Sequence, residues 1–183
     1  SDSVFTITEI APGAYTEYTF NNDTNISLVA GLRADYLQSN GIIVNPRLHL
    51  KYRPSKNTSI RLSGGRGMRT PHIFAENSQI FASSRQIIIS PNLKQEIAWN
   101  YGITITYNFK PFKKNASINF DAYRTEFESQ VVVDLEDVKK VQFYNLRGLS
   151  YSNSFQTDIS FSPSEHWDLK LAYKYYIVKS TYF

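Results

Sequence analysis

From Glu96 to Phe109 the chain alternates without a break. Ile97, Trp99, Tyr101, Ile103, Ile105, Tyr107 and Phe109 take the odd positions, and Glu96, Ala98, Asn100, Gly102, Thr104, Thr106 and Asn108 the even ones. Successive strand side chains point to opposite faces, so this pattern predicts a strand with one apolar and one polar face. Ile26, Leu28, Ala30, Leu32, Ala34 and Tyr36 alternate with Ser27, Gly31, Arg33 and Asp35. Leu48, Leu50 and Tyr52 alternate with Arg47, His49, Lys51 and Arg53, and Ile60 and Leu62 with Arg61 and Ser63. Trp167, Leu169, Leu171, Tyr173 and Tyr175 oppose Asp168, Lys170 and Lys174. Weaker alternation runs from Ala116 to Ala122, losing phase over Tyr123 to Phe127, where a bulge is expected. Another run joins Leu149, Tyr151, Phe155, Ile159 and Phe161. With Ala14 to Phe20 added, the pattern predicts about eight strands, many longer than the usual ~5–6 residues.

The connections fall into two kinds. Short polar turns stand at 21–24, 54–57, 110–115 and 162–165, built from Asn, Asp, Pro and Ser, whose side chains and backbones suit tight reversals. Longer links run from Ser39 to Val44, from Met68 to about Leu93 and from Leu135 to Lys140. Short turns on one rim and long loops on the other are the asymmetry of an outer-membrane barrel. The Glu96 to Phe109 run exceeds the roughly 9–11 residues a tilted strand needs to cross a bilayer. Aromatics at both of its ends suit the two membrane interfaces. A soluble β-sandwich or barrel also alternates, so periodicity alone leaves both architectures open.

Composition narrows the field. Thirteen Tyr and 12 Phe accompany only 2 Trp, and charged residues make up 20%. This is a β-favouring composition. Zero Cys excludes a disulfide scaffold and a thiolate metal site. No apolar run exceeds Leu28 to Leu32 or Tyr175 to Val178, which excludes a transmembrane helix. The chain opens Ser1-Asp2-Ser3, without Met or a basic leader, as expected of a mature or excised segment. A net charge of +4 is too mild to indicate nucleic acid, and Arg and Lys oppose the aromatics instead of sharing their face.

Catalytic and metal chemistry is sparse. His49, His72 and His166 lack the spacing of a metal site, and Ser63-Gly64-Gly65-Arg66-Gly67 lacks the Lys-Ser/Thr of a phosphate loop. Glu128, Asp134, Glu136 and Asp137 form an acidic stretch without EF-hand spacing. No cofactor or metal and no enzymatic reaction are expected. Two groups stand out. Arg33, Arg47, His49, Lys51 and Arg61 share the polar face and are candidates for a wet lumen wall. Arg66, Arg69, His72, Phe74, Phe81 and Arg85 lie in or lead into the long 68–93 link, a composition suited to an anionic or aromatic ligand.

One stretch carries a resemblance. Asn45-Pro46-Arg47-Leu48, Tyr52-Arg53-Pro54, Ile60-Arg61-Leu62-Ser63-Gly64-Gly65-Arg66-Gly67-Met68-Arg69-Thr70-Pro71 and Ala75-Glu76-Asn77 resemble the barrel of TonB-dependent outer-membrane receptors. The family pattern is a Pro-Arg strand, a short turn, and an Arg-rich strand ending in Gly-x-Gly-Phe/Met-Arg-x-Pro. Pro12-Gly13-Ala14-Tyr15, Ala30 to Tyr36, Asn92 to Glu96 and Tyr123 to Phe127 are similar to flanking family strands. Val131 to Asp134 and Tyr144-Asn145-Leu146 resemble receptors of the Bacteroides group.

The resemblance implies an all-β fold: an antiparallel up-and-down meander of about eight long strands, a segment of a barrel of about 22. It implies a bacterial outer-membrane location and import of a scarce nutrient such as an iron chelate, cobalamin or glycan. The implied partners are the plug domain of the same parent chain, TonB through a segment N-terminal to this one, outer-membrane lipid and a small nutrient ligand, with no nucleic acid. Residues 1–183 then form a partial barrel domain, with plug and remaining strands outside it. The alternative is a soluble all-β ligand- or glycan-binding module whose aromatics stack on its ligand.

Overall fold

A computed structural model describes residues 10–22, 25–38 and 41–181. Eight long strands form one antiparallel sheet: β1 (Gly13–Asn22), β2 (Ile26–Leu37), β3 (Gly41–Ser55), β4 (Thr58–Arg69), β6 (Glu96–Phe109), β7 (Asn115–Ser129), β10 (Ser150–Ser164) and β11 (Trp167–Ser180). Their spatial order is β1-β2-β3-β4-β6-β7-β10-β11, so every wall strand pairs with its neighbour in the meander. The sheet is open, and β1 and β11 are its two edges. The expected meander of eight long strands is what forms.

Register turns the alternation into two surfaces. Leu50 sits opposite Leu28 and Leu62, Leu62 opposite Ile103, and Ile103 opposite Ala122, which faces Phe155. That apolar face is uncovered: Leu48, Leu62, Phe120, Ile159, Leu171 and Tyr173 are all exposed. On the other face Val29 opposes His49, His49 opposes Ser63, and Ser63 opposes Gly102. A soluble sheet buries its apolar face and wets its polar one. Here the apolar face has no protein layer over it among the described residues.

Two expectations are corrected. The phase loss over Tyr123 to Phe127 is no bulge, because β7 stays in register with β10 throughout and with β6 to Phe127. Tyr123 is an aromatic residue on the polar face, lying across Gly102. The bulge lies just beyond: Ile97 faces Ser129 while Ala98 faces Phe127, leaving Glu128 as the extra residue. The second correction concerns the long links at the opposite rim from the turns: Ser39 to Val44 is no long loop, since β3 already starts at Gly41 and positions 39–40 lie outside the described residues, and the other two are not plain loops. Residues 70–95 carry α1 (Ile73–Glu76), α2 (Ser78–Phe81) and β5 (Gln86–Ile89), and β8 (Val131–Asp134) and β9 (Lys140–Asn145) lie between β7 and β10. These strands form a second sheet, β5-β9-β8, in which β5 runs parallel to β9 and β8 antiparallel to it.

This loop sheet has its own core. Val141, Phe143 and Ile73 are buried, with Ile80, Phe81, Ile87, Leu93 and Val133 packed against them. Phe81 stacks on Phe143 at 6.0 Å between ring centres and meets Phe74 at 4.8 Å. Burying several large side chains at ~1.5–3 kcal/mol each gives the rim module a packed interior that a surface loop lacks.

Candidate functional site

The polar face carries the first group of candidate residues. Arg33, Arg47, His49, Lys51 and Arg61 all project on one side: Arg33 opposes Asn45, Arg47 opposes Gly31 and Gly65, and Lys51 opposes Ser27 and Arg61. Arg33 donates to both carboxylate oxygens of Asp35, which is 2% exposed, and Arg47 pairs with Glu17. Gly13 makes room for Asp35, since a Cβ there would stand 2.2 Å from its Oδ1. Lys51 and Arg61 differ from these. They are like charges directly across a strand pair, an unfavourable placement, and neither makes an ion pair among the described residues. With His49, Ser63, Thr104 and Tyr123 they line a shallow groove of about 390 Å³.

The second group divides. Arg66 and Arg69 belong to β4 and not to the link that follows it. Arg66 has the opposite parity to Arg61 and Ser63 and faces Trp99 in register. Its guanidinium donates to both Glu128 carboxylate oxygens at 2.8 and 2.9 Å and to the Val44 carbonyl at 2.9 Å. Arg69 bridges Glu96 and Glu76, and Glu96 also accepts the Val131 amide, which ties β4, α1 and the start of β8 together. Phe81 is part of the loop-sheet core and Phe74 packs on it. His72 precedes α1 and is exposed, while Arg85 is half-buried and pairs with no acid among the described residues. The six residues therefore do not converge on one pocket.

What the rim does contain is a cleft of about 940 Å³ between the start of β3 and the loop sheet. Ile42 and Val44 line one side, and Lys94, Tyr144 and Arg147 the other, with the Arg66–Glu128 pair between. Asn145 fixes one wall: its Oδ1 accepts the Lys94 amide, and its Nδ2 donates to the Lys94 carbonyl and Ser129 Oγ. Arg66 is neutralised by Glu128, whereas Lys94 and Arg147 make no side-chain ion pair among the described residues. The sequence pattern assigns no role to Lys94, Arg147, Glu17 and Glu96, and it places Glu128 in an acidic stretch without its pairing to Arg66. They lie on segments far apart in the chain, and no local spacing signals their meeting. In the acidic stretch, Asp134 and Asp137 accept the Glu136 and Lys139 amides, which is turn chemistry.

The comparisons fit this geometry. Similar solved structures include the siderophore receptor PirA from Pseudomonas aeruginosa, at 15% identity and a TM-score of 0.65, over 91% of this chain and 32% of that one. The FrpB iron transporter from Neisseria meningitidis matches at 18% identity and a TM-score of 0.70, over 92% and 26%. The ferric enterobactin receptor PfeA from P. aeruginosa matches at 15% identity and 0.67, over 90% and 27%. At such identities the likeness establishes the fold, and the chain spans about a quarter to a third of these structures. A search of curated sequences returned no match. The family model described as TonB dependent receptor-like, beta-barrel, matches residues 1–183. The eight-stranded sheet with its bare apolar face is thus the wall of a receptor barrel, and the chain belongs to the TonB-dependent receptor-like β-barrel family.

Proposed function

We propose that this chain is part of the wall and outer rim of an outer-membrane receptor that imports an anionic iron chelate with energy delivered through TonB. The observation that carries the reading is the apolar face, exposed across the sheet and banded by aromatics. From Trp99 to Phe109, β6 rises about 33 Å at ~3.3 Å per residue. A tilt of about 40° projects this to ~25 Å, the height of the apolar band of such barrels. Stacked rings mark both ends, Trp99 on Tyr101 and Tyr107 on Phe109. A soluble glycan-binding module would leave that band in water, which disfavours it.

In this reading the open edges β1 and β11 pair with further strands of the parent chain, and the polar face meets its plug domain. The uncompensated Lys51–Arg61 pair favours a plug surface that brings carboxylates. The rim cleft favours an anion, because Lys94 and Arg147 line it with unpaired charges. His72 and Arg85 stand on the same module, and Phe74 and Phe81 support it from inside. The neighbours whose names mention siderophores, iron and ferric enterobactin favour an iron chelate over cobalamin or a glycan. No covalent chemistry is needed from any residue.

The test is binding to the full-length receptor in detergent, titrated with anionic ferric catecholates, cobalamin and neutral oligosaccharides. Ferric chelates should bind, and Lys94→Ala with Arg147→Ala should weaken them at least tenfold. Binding of a neutral glycan that ignores both substitutions would reject the reading.

A further inference from the structure

The turns flanking the β4–β6 pair, at 53–57 and 110–114, are basic and free of acids. Between Asn108 and Phe120 the sequence holds Lys110, Lys113 and Lys114 and no acid, and between Tyr52 and Ile60 it holds Arg53 and Lys56 and no acid. The turns are neighbours: Thr58 faces Tyr107, and the Asn108 amide donates to the Asn57 carbonyl at 2.8 Å. None of the three lysines forms an ion pair among the described residues. At the tip of the second turn, in a short 3-10 helix over Pro111–Lys113, sits Phe112, 92% exposed. Its backbone is left-handed, φ +51°, and so is that of Lys113, φ +62°. A bulky residue is rarely found there, and a turn that needed only to reverse the chain would be built with Gly or Asn.

We propose that the 110–114 turn, one of the short turns that such barrels keep on the periplasmic side, is a lipid-headgroup anchor: Phe112 enters the interfacial layer of the inner leaflet, and Lys110, Lys113 and Lys114 bind the phosphates of anionic phospholipid. The site continues the apolar band, because the turn begins one residue after Phe109, whose ring stacks on Tyr107 on the apolar face. Aromatic rings with lysines around them are the composition of a segment that lies in an anionic interface. A soluble partner would leave the continuity with that band unexplained. The inference rests on the barrel reading above, and the experiment separates the two.

Residues 1–183 contain no Cys, so a reporter thiol in this segment is a single site. The full-length receptor, carrying either Phe112→Cys or Ile103→Cys with an environment-sensitive fluorophore, would be folded into phosphatidylethanolamine–phosphatidylglycerol vesicles or phosphatidylcholine vesicles. Brominated lipids then report depth. The label at 103 should be quenched by bromines deep in the acyl chains in both lipids. The label at 112 should shift to the blue and be quenched by shallow bromines, more strongly with phosphatidylglycerol. Lys110→Gln, Lys113→Gln and Lys114→Gln together should abolish that lipid preference, at about fivefold per lysine in headgroup affinity. In an unlabelled receptor, Phe112→Gly, which relieves the left-handed strain, should slow folding into phosphatidylglycerol vesicles. A quenched 103 with a water-exposed 112 overturns the anchor alone, and so does faster folding of Phe112→Gly in both lipids. An unquenched 103 overturns the barrel reading and the anchor together.

Discussion

Tyr123 lies across Gly102 so closely that a Cβ on the glycine would stand 2.2 Å from the ring, with Ser63 Oγ at 2.8 Å on its other side. The two residues face each other in register on the polar side of β6 and β7, and the Tyr123 hydroxyl stands 3.2 Å from Thr104 Oγ1. Gly weakens a strand by leaving a hole in its side-chain cover. Here the aromatic ring fills the hole, and the glycine gives the ring room to lie flat. Gly102→Ala should therefore destabilise the receptor by about 1–3 kcal/mol through overpacking. Urea unfolding followed on heat-shift gels measures this. In a Tyr123→Ala background the same substitution should cost much less, leaving only the contact with the small, flexible Ser63 hydroxyl, and equal costs in both backgrounds would refute the pairing.

The wall strands were legible because each has one bare apolar face, and a period of two survives wherever only one side is wet. The loop sheet was not. Gln86 to Ile89 and Val131 to Asp134 are four-residue strands with continuous apolar runs, a pattern shared with buried helix segments. The parallel pairing of β5 with β9 joins segments more than fifty residues apart, which leaves no trace in local order. The charged residues follow the same rule. Arg33, Arg47, His49, Lys51 and Arg61 could be assigned to one face by parity alone. Arg66 could not be matched to Glu128, because the bulge shifts β7 by one residue where they meet. Phe81 looks like an exposed ligand contact in the sequence only because its partner Phe143 is supplied by another link.

The facing of the wall gives a direct contrast. Ile103 and Thr104 are consecutive, and register puts Ile103 beside Leu62 and Ala122, and Thr104 beside Arg61 and Asp121. Arg at mid-height on the lipid face costs roughly 2–4 kcal/mol, whereas lumen positions tolerate polar groups. Ile103→Arg should reduce the folded, membrane-inserted receptor, and Thr104→Arg should assemble normally unless it strikes the plug. Equal assembly of both on heat-shift gels would show that the faces are assigned wrongly.

The Arg66–Glu128 pair clamps the rim. Arg66 is 16% exposed and also holds the Val44 carbonyl, so removing its acid leaves a largely enclosed cation. Glu128→Ala should cost about 1–2 kcal/mol, the range for hydrogen bonds to charged groups, moderated because Glu128 itself is half-exposed. The loss should appear as faster proteolysis within 70–95 and 130–149 with the wall intact. Arg66→Ala and the double variant close a mutant cycle, and additive effects would mean that the two side chains do not depend on each other.

Phe81 separates support from contact. Its ring stacks on Phe143, which is 1% exposed, and it does not line the rim cleft. Phe81→Ala should cost up to about 3 kcal/mol, below the value for a fully buried phenylalanine because the site is only half-buried. That loss should be local, raising amide exchange of Gln86–Ile89 and Lys140–Asn145 while the wall strands stay protected. Affinity at the proposed rim site should fall with it, because Lys94, Tyr144 and Arg147 line the cleft on the same module. Phe81→Leu, which keeps an apolar side chain in the gap, should restore both exchange protection and most of the affinity. Weaker binding with unchanged amide exchange in Phe81→Ala would instead make the ring a direct ligand contact, and the core assignment would lose its functional meaning.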